Sequence, residues 1–340
     1  KDSPVNFGGF SPENADGSFA GPVLAADALN RSRNVPAVEL ASRLKEGAGL
    51  HALLSASGVP GLRDADFYGL AIVLGGAEVR MRDLVRLYAM LPNGGRLDPL
   101  RTRVADPPPG AGPHLLTAES SYLVLEVLAA NPRPESPLDR ALVRARGEVA
   151  WKTGTSHGFR DAWAVGVVGP YVLAVWIGNF DGTGDPALVG IRAAAPLFFR
   201  IADSLAPRPE VVAAPEPRTA AGNLAHVEVC ALSGGIPGDA CPRRVSGWFI
   251  PGVSPIHGCE MHRAIAIDSR TGRRACDPSG PGVRTEVHEF WPSDLLALYR
   301  LAGIPRRAPP AEDPACPLAE QASRGVAPAI VSPRTGVVYS

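Results

Sequence analysis

Lysine is nearly absent. Of the 34 cationic side chains only Lys1, Lys45 and Lys152 are lysine, and the other 31 are arginine. Arginine is this chain's default cation, so a lysine inside an apolar segment points to chemistry that needs a compact, titratable ammonium. A charge excess is missing too. The 34 basic residues face 34 acidic ones, which removes the footprint of a nucleic-acid binder and of an acidic solubilising tail. No uninterrupted apolar run reaches the ~18 residues of a membrane helix, and the longest candidate, 162–178, is broken by Gly169-Pro170. No signal peptide is visible. The first residue is Lys1 rather than Met, which leaves an upstream targeting segment open. Cysteine is missing from the first 229 residues. The five that follow are an odd number, so at least one thiol has no partner within the chain. No G-X-Y period accompanies the 37 glycines and 35 prolines, which excludes collagen and leaves many loops.

What is present describes a folded protein. A hydrophobic fraction of 45% excludes a wholly disordered chain, and 340 residues are enough for two domains. Residues 1–22 are rich in turn signals. Helices are predicted over 23–31, over 37–45 with Pro36 in the first turn, over 81–91, and over 117–130 behind a Thr-x-x-Ser start. Strands are predicted over 148–155, 161–168 and 171–179, the last two joined by Gly169-Pro170, and a closing helix over 193–205. Helices followed by an antiparallel sheet with a helix behind it make an α+β pattern. A Pro/Ala-rich linker follows, at 208–225. The region 226–322 holds all five cysteines, has little periodicity and contains one clear helix, over 290–301. Residues 323–340 read as the start of a further β domain.

Several residues carry candidate chemistry. Lys152-Thr153-Gly154, with Thr155, lies at the end of a strand. An ammonium and hydroxyls there suit a carboxylate, and Gly154 lets another backbone pair along the edge. The plainer reading is a solvated strand end, and the Thr-Gly pairs at 271–272 and 335–336 show how common the doublet is. Ser32-Arg33-Asn34 follows a helix, where Ser and Asn usually form turns. Ser42-Arg43-Leu44-Lys45 places a hydroxyl and an amine three residues apart on one helical face, or is an exposed polar pair at the end of an amphipathic helix. Trp151, Trp163 and Trp176 read as sheet packing and His157 as a loop histidine. Cys230, Cys241, Cys259 and His262 are residue types that hold zinc, but their spacing is not a paired C-x-x-C. Disulfides are the expectation for an exported chain, and no metal or cofactor is expected.

Together these features resemble the class A penicillin-binding proteins. The resemblance is carried by 10–41, 68–95, 151–166, 172–184 and 290–307. It implies a penicillin-binding protein/serine β-lactamase-like transpeptidase fold over 1–207, then an irregular Cys-containing extension and the start of a β-sandwich module. The family's motifs run in the order Ser-x-x-Lys, Ser-x-Asn, Lys-Thr-Gly. Ser32-Arg33-Asn34 matches the second and Lys152-Thr153-Gly154 the third. Ser42–Lys45 comes after Ser-x-Asn and is out of order, so the resemblance implies a nucleophile upstream of Lys1 and a chain that is incompetent by itself. It implies that Ser32, Asn34 and Lys152 are catalytic and that Thr153, Gly154 and Thr155 bind substrate. The implied ligands are peptidoglycan stem peptides ending in D-Ala-D-Ala, and β-lactams. An upstream membrane anchor and glycosyltransferase domain, the periplasmic face of the inner membrane, and other cell-wall synthesis proteins as partners are implied as well. Two other readings remain: a D,D-carboxypeptidase or β-lactamase-like hydrolase on the same fold, and a non-catalytic wall-binding or scaffold module.

Overall fold

The computed structural model describes residues 1–314, apart from 46, 109, 135–148, 209–210 and 212–221, together with 316. The predicted β domain at 323–340 and most of the 208–225 linker lie outside the described residues. The chain divides into two units. The first holds Lys1–Val227, Gly247–Pro255 and Ser293–Pro305, and the second holds Glu228–Ser246, Ile256–Pro292 and Arg306–Ser340.

The first unit is built on an antiparallel sheet in the order β1 (Val149–Thr155), β2 (Asp161–Val168), β3 (Tyr171–Gly178). The strands lie where their apolar, β-branched residues predict them. Strand periodicity sends alternate residues to opposite faces. On one face Val149, Trp151, Ala162, Ala164 and Val175 pack against Ala194, Ala195, Phe198, Phe199 and Ala202 of helix α7 (Gly190–Leu205). On the other, Ala150 and Val167 pack against Leu125 and Leu128 of α6 (Ala118–Ala129). The hydroxyl of Thr117 accepts from the amide of Ser120 at 3.1 Å and caps α6 as predicted.

The remaining helices are α1 (Ala25–Asn30), α2 (Asn34–Ser42), α3 (Leu50–Ala56), α4 (Ala65–Tyr68), a 3₁₀ turn (Gly69–Leu74) and α5 (Met81–Met90). Helix α2 differs from its prediction by three residues at each end. Its first amides are capped from a distance: Asn14 Oδ1 accepts from Asn34 N at 2.8 Å and from Val35 N at 3.4 Å. A cap supplied twenty residues away leaves no local signal. Two later stretches also belong to this unit. Trp248 meets Tyr122 edge-on at 5.0 Å, and helix α8 (Ser293–Leu301) approaches the left-handed Gly21, where a Cβ would lie 3.2 Å from Ala302.

The second unit is more regular than its periodicity suggests. It holds the end of strand β4 (Ala225–Cys230) and the start of its partner β5 (Arg244–Phe249), and the whole of β6 (His262–Asp268), which pairs antiparallel with β7 (Val283–Glu289). These strands carry polar, half-exposed faces such as Arg284, Glu286 and His288, so apolar alternation is weak. Cys276 and Cys316 form a disulfide.

Candidate active site

The turn between α1 and α2 presents Ser32. Helix α1 closes with Arg33 N donating to Ala28 O at 2.9 Å and Ser32 N donating to Leu29 O at 3.0 Å, the bond pair of a Schellman motif. The motif's left-handed position, where glycine is preferred, is filled by Ser32 with φ +53°. Ser32 and Phe159 are the only non-glycine residues with positive φ among the described residues, and Phe159 sits in the turn just after β1. A strained serine in glycine's place is the kind of departure that functional sites carry.

Arg33 anchors this turn from below. Its guanidinium is buried and pairs with Asp2 at 2.7 Å and Asp16 at 2.8 Å. Asp2 is fully buried and also accepts from Asn14 Nδ2 at 2.6 Å and Ala20 N at 2.9 Å. The network therefore ties segment 1–20 to the start of α2. Asn34 gives its side-chain Nδ2 to the Glu13 carbonyl at 2.8 Å.

Lys152 comes from β1, an edge strand among the described residues. Its Nζ donates to Ser32 Oγ and to Thr153 O, the latter at 2.8 Å. The side chain is half-buried, and burial draws its pKa down from 10.5 to about 8. No acidic side chain among the described residues pairs with it. A half-buried ammonium without a carboxylate is a seat for an anion.

The edge of β1 is oriented for pairing. Trp151 O accepts from Asn131 Nδ2 at 3.2 Å, so it faces away from β2. By the alternation of antiparallel ladders, the amides and carbonyls of Thr153 and Thr155 face outward too. The Trp151 indole returns a bond to Asn131 O at 3.0 Å, which latches the strand to the residues after α6. The side chains of Thr153 and Thr155 lie on the α7 face, opposite Lys152. Thr155 Oγ1 accepts from Gly190 N at 2.9 Å, which caps α7 and leaves the hydroxyl proton to donate elsewhere. A Cβ at Gly154 would meet nothing closer than 3.7 Å.

Comparison with known proteins gives these contacts a context. Residues 221–264 match the model of the family described as penicillin-binding protein 1A, C-terminal domain. Penicillin-binding protein 1C of Escherichia coli K12 is 31% identical over 320 residues, 87% of this chain and 38% of that protein. Over most of its length the chain is similar to that penicillin-binding protein. Penicillin-binding protein 1B of the same organism is 28% identical over 228 residues, 61% of this chain and 25% of that protein. The crystal structure of penicillin-binding protein 1A from Haemophilus influenzae superposes with a TM-score of 0.59 at 19% identity, over 76% of this chain and 45% of that one. That likeness bears on the fold, which is the α+β fold of the penicillin-binding protein transpeptidase domains. The chain spans 38% and 25% of the two relatives named here from E. coli.

Within this penicillin-binding protein fold, Ser32 and Lys152 meet across 120 residues of chain. Ser42 and Lys45 do not form a pair on a helix. α2 ends at Ser42, whose hydroxyl returns to Glu39 O at 2.8 Å, and Lys45 is exposed beyond it. His157 is an exposed turn residue. Sequence reasoning missed Asp2, Asn14, Arg33 and Gly190. The last is required by contact: a Cβ there would stand 2.4 Å from Gly154 O and 2.8 Å from Trp163 O.

Proposed function

We propose that this chain supplies the leaving-group and carboxylate-binding side of a peptidoglycan D,D-transpeptidase within a bifunctional cell-wall synthase. The observation that carries the proposal is the Lys152 ammonium resting on Ser32 beside an outward-facing strand edge. A stem peptide ending in D-Ala-D-Ala pairs along β1, and its terminal carboxylate meets Lys152 and the hydroxyl protons of Thr153 and Thr155. Gly154 adds no side chain to obstruct that approach.

In the proposed reaction a serine gives its proton to the lysine that accompanies it and attacks the penultimate D-Ala carbonyl, and the amide bond to the last D-Ala breaks. Ser32 passes its proton to the leaving amine while the Lys152 ammonium passes one to Ser32. An amine of a neighbouring stem peptide then attacks the acyl-enzyme and its proton returns along the same path. A pKa of about 8 at Lys152 suits both directions near neutral pH. Asn34, whose Nδ2 is held by Glu13, offers its Oδ1 to a substrate N–H and to the lysine that accompanies the nucleophile. Within the 340 residues no Ser-x-x-Lys precedes Ser32, so the nucleophile is proposed to lie outside this chain.

The same proposal places the whole protein at the periplasmic face of the inner membrane, joined to an anchor and a glycosyltransferase domain. No helix among the described residues is long and apolar enough to cross a membrane. The test is to incubate the purified 340-residue chain with a fluorescent penicillin and map any adduct by mass spectrometry. The expected result is no covalent label. An adduct on Ser42 overturns the assignment.

A further inference from the structure

The second unit gathers four ligand-type side chains outside the site described above. Cys230 ends β4, Cys241 and Cys259 lie in loops, and His262 begins β6. One ligand atom from each falls within 4.8 Å of all the others. His262 Nδ1 is 3.4 Å from Cys230 Sγ and 3.5 Å from Cys259 Sγ. A tetrahedral zinc with Zn–S of ~2.3 Å and Zn–N of ~2.0–2.1 Å places sulfur and nitrogen about 3.6 Å apart, so these separations are those of a tetrahedron's edge. We propose that Cys230, Cys241, Cys259 and His262 bind one Zn(II) ion, with His262 coordinating through Nδ1, as a structural site.

Cys230 is buried, and Cys241 and Cys259 are half-buried, so the sulfurs are partly withdrawn from water. His262 also borders a shallow depression with Ala231, Leu232, Pro242, Arg243 and Glu289, which gives a hydrated ion a way in. Three thiolates and an imidazole select a soft or borderline metal over magnesium or calcium. Four protein ligands fill a tetrahedral shell, and no fifth lies beside them among the described residues, so the centre is closed and structural.

The second unit has need of such a centre. Among the described residues its buried apolar side chains are Cys230 and Ile267 alone. A small unit with so thin a core depends on a staple, either a disulfide or a metal. The disulfide Cys276–Cys316 is one. The other is the ion, which ties the end of β4 and two loops to the start of β6. Three remaining cysteines cannot all pair with each other, whereas three cysteines and a histidine complete a tetrahedral shell. The expectation of a chain without metal is replaced here by a defined ligand set.

The test uses the whole chain, purified without chelator, with bound metal counted by elemental analysis and native mass spectrometry. The expected result is one zinc per chain, falling at least tenfold in Cys241→Ser and in His262→Ala and unchanged in Cys276→Ser. If those variants fail to fold, the unaltered chain is refolded with Co(II). Its visible spectrum is then expected to show the tetrahedral d–d bands and thiolate-to-cobalt charge transfer. Stripping zinc with a chelator is expected to raise amide exchange at least tenfold in 228–246 and 256–268 and to leave 149–178 unchanged. Three results would overturn the proposal: less than a tenth of an equivalent of zinc in reduced, folded protein, iron or copper bound instead, or a disulfide among Cys230, Cys241 and Cys259 in non-reducing peptide maps.

Discussion

Replacing Lys152 by Met is expected to stabilise the fold while abolishing carboxylate recognition. Burial lowers the Lys152 pKa from 10.5 to about 8. Each unit is worth ~1.4 kcal/mol, so the shift has a ceiling of roughly 3.5 kcal/mol. The side chain is only half-buried, and solvent screening cuts this to about 1–2 kcal/mol. The bonds lost, to Ser32 Oγ and Thr153 O, are at a water-accessible turn and strand edge, where solvent replaces them. The sign follows from proton counting. Below pH 8 the folded and unfolded chains both hold the proton, and the full cost of burying the charge is felt. Between pH 8 and 10.5 the unfolded chain still holds a proton that the folded chain has released, so wild-type stability rises with pH relative to the variant. Urea unfolding of both proteins at pH 7 and pH 10 measures this. The variant should be about 1–2 kcal/mol more stable at pH 7, with the gap closing by pH 10. A variant less stable at pH 7, or a gap that ignores pH, refutes the claim that Lys152 is an ammonium held against its solvation.

Three further substitutions probe the same site. Ser32→Gly relieves the left-handed φ of +53° and should raise stability by about 0.5–1 kcal/mol while deleting the hydroxyl under Lys152; calorimetry checks the sign. Arg33→Met leaves the fully buried Asp2 carboxylate without its guanidinium and should cost about 3–5 kcal/mol in the same assay, whereas an exposed pair such as Arg43–Glu39 should cost under about 1 kcal/mol. Gly190→Ala drives a methyl into two backbone oxygens and should cost about 3 kcal/mol, the upper end for overpacking, seen as a lower urea midpoint.

The sheet and the helices that cover it were legible because their residues repeat at strand and helix periods. β2 and the start of β3 match their predicted bounds, α6 follows its Thr117 cap, and α5 is one residue shorter than predicted. The parts that were not legible depend on distant chain. Asn14 caps α2 and Thr155 caps α7, so both helices start three residues before their local signals. The strands of the second unit escaped because half-exposed polar faces blur the alternation that marks a strand. At the site, Ser32 and Lys152 stand out by motif order and are brought together by the fold. The Asp2–Asn14–Arg33 network was hidden in a stretch that reads only as turns. Cys230, Cys241, Cys259 and His262 were visible as residue types, but their irregular spacing concealed a tetrahedral grouping that only the folded loops create.

The central claim is that β1 and Ser32 recognise a C-terminal carboxylate. A nuclear magnetic resonance titration of the labelled chain with an N-acylated D-Ala-D-Ala peptide tests it most directly. The account predicts amide shifts centred on Thr153, Gly154, Thr155 and Ser32, weakened at least tenfold in affinity when the carboxylate is replaced by a carboxamide or Lys152 by Met. Shifts that fall elsewhere, or equal binding of the carboxamide, would contradict it.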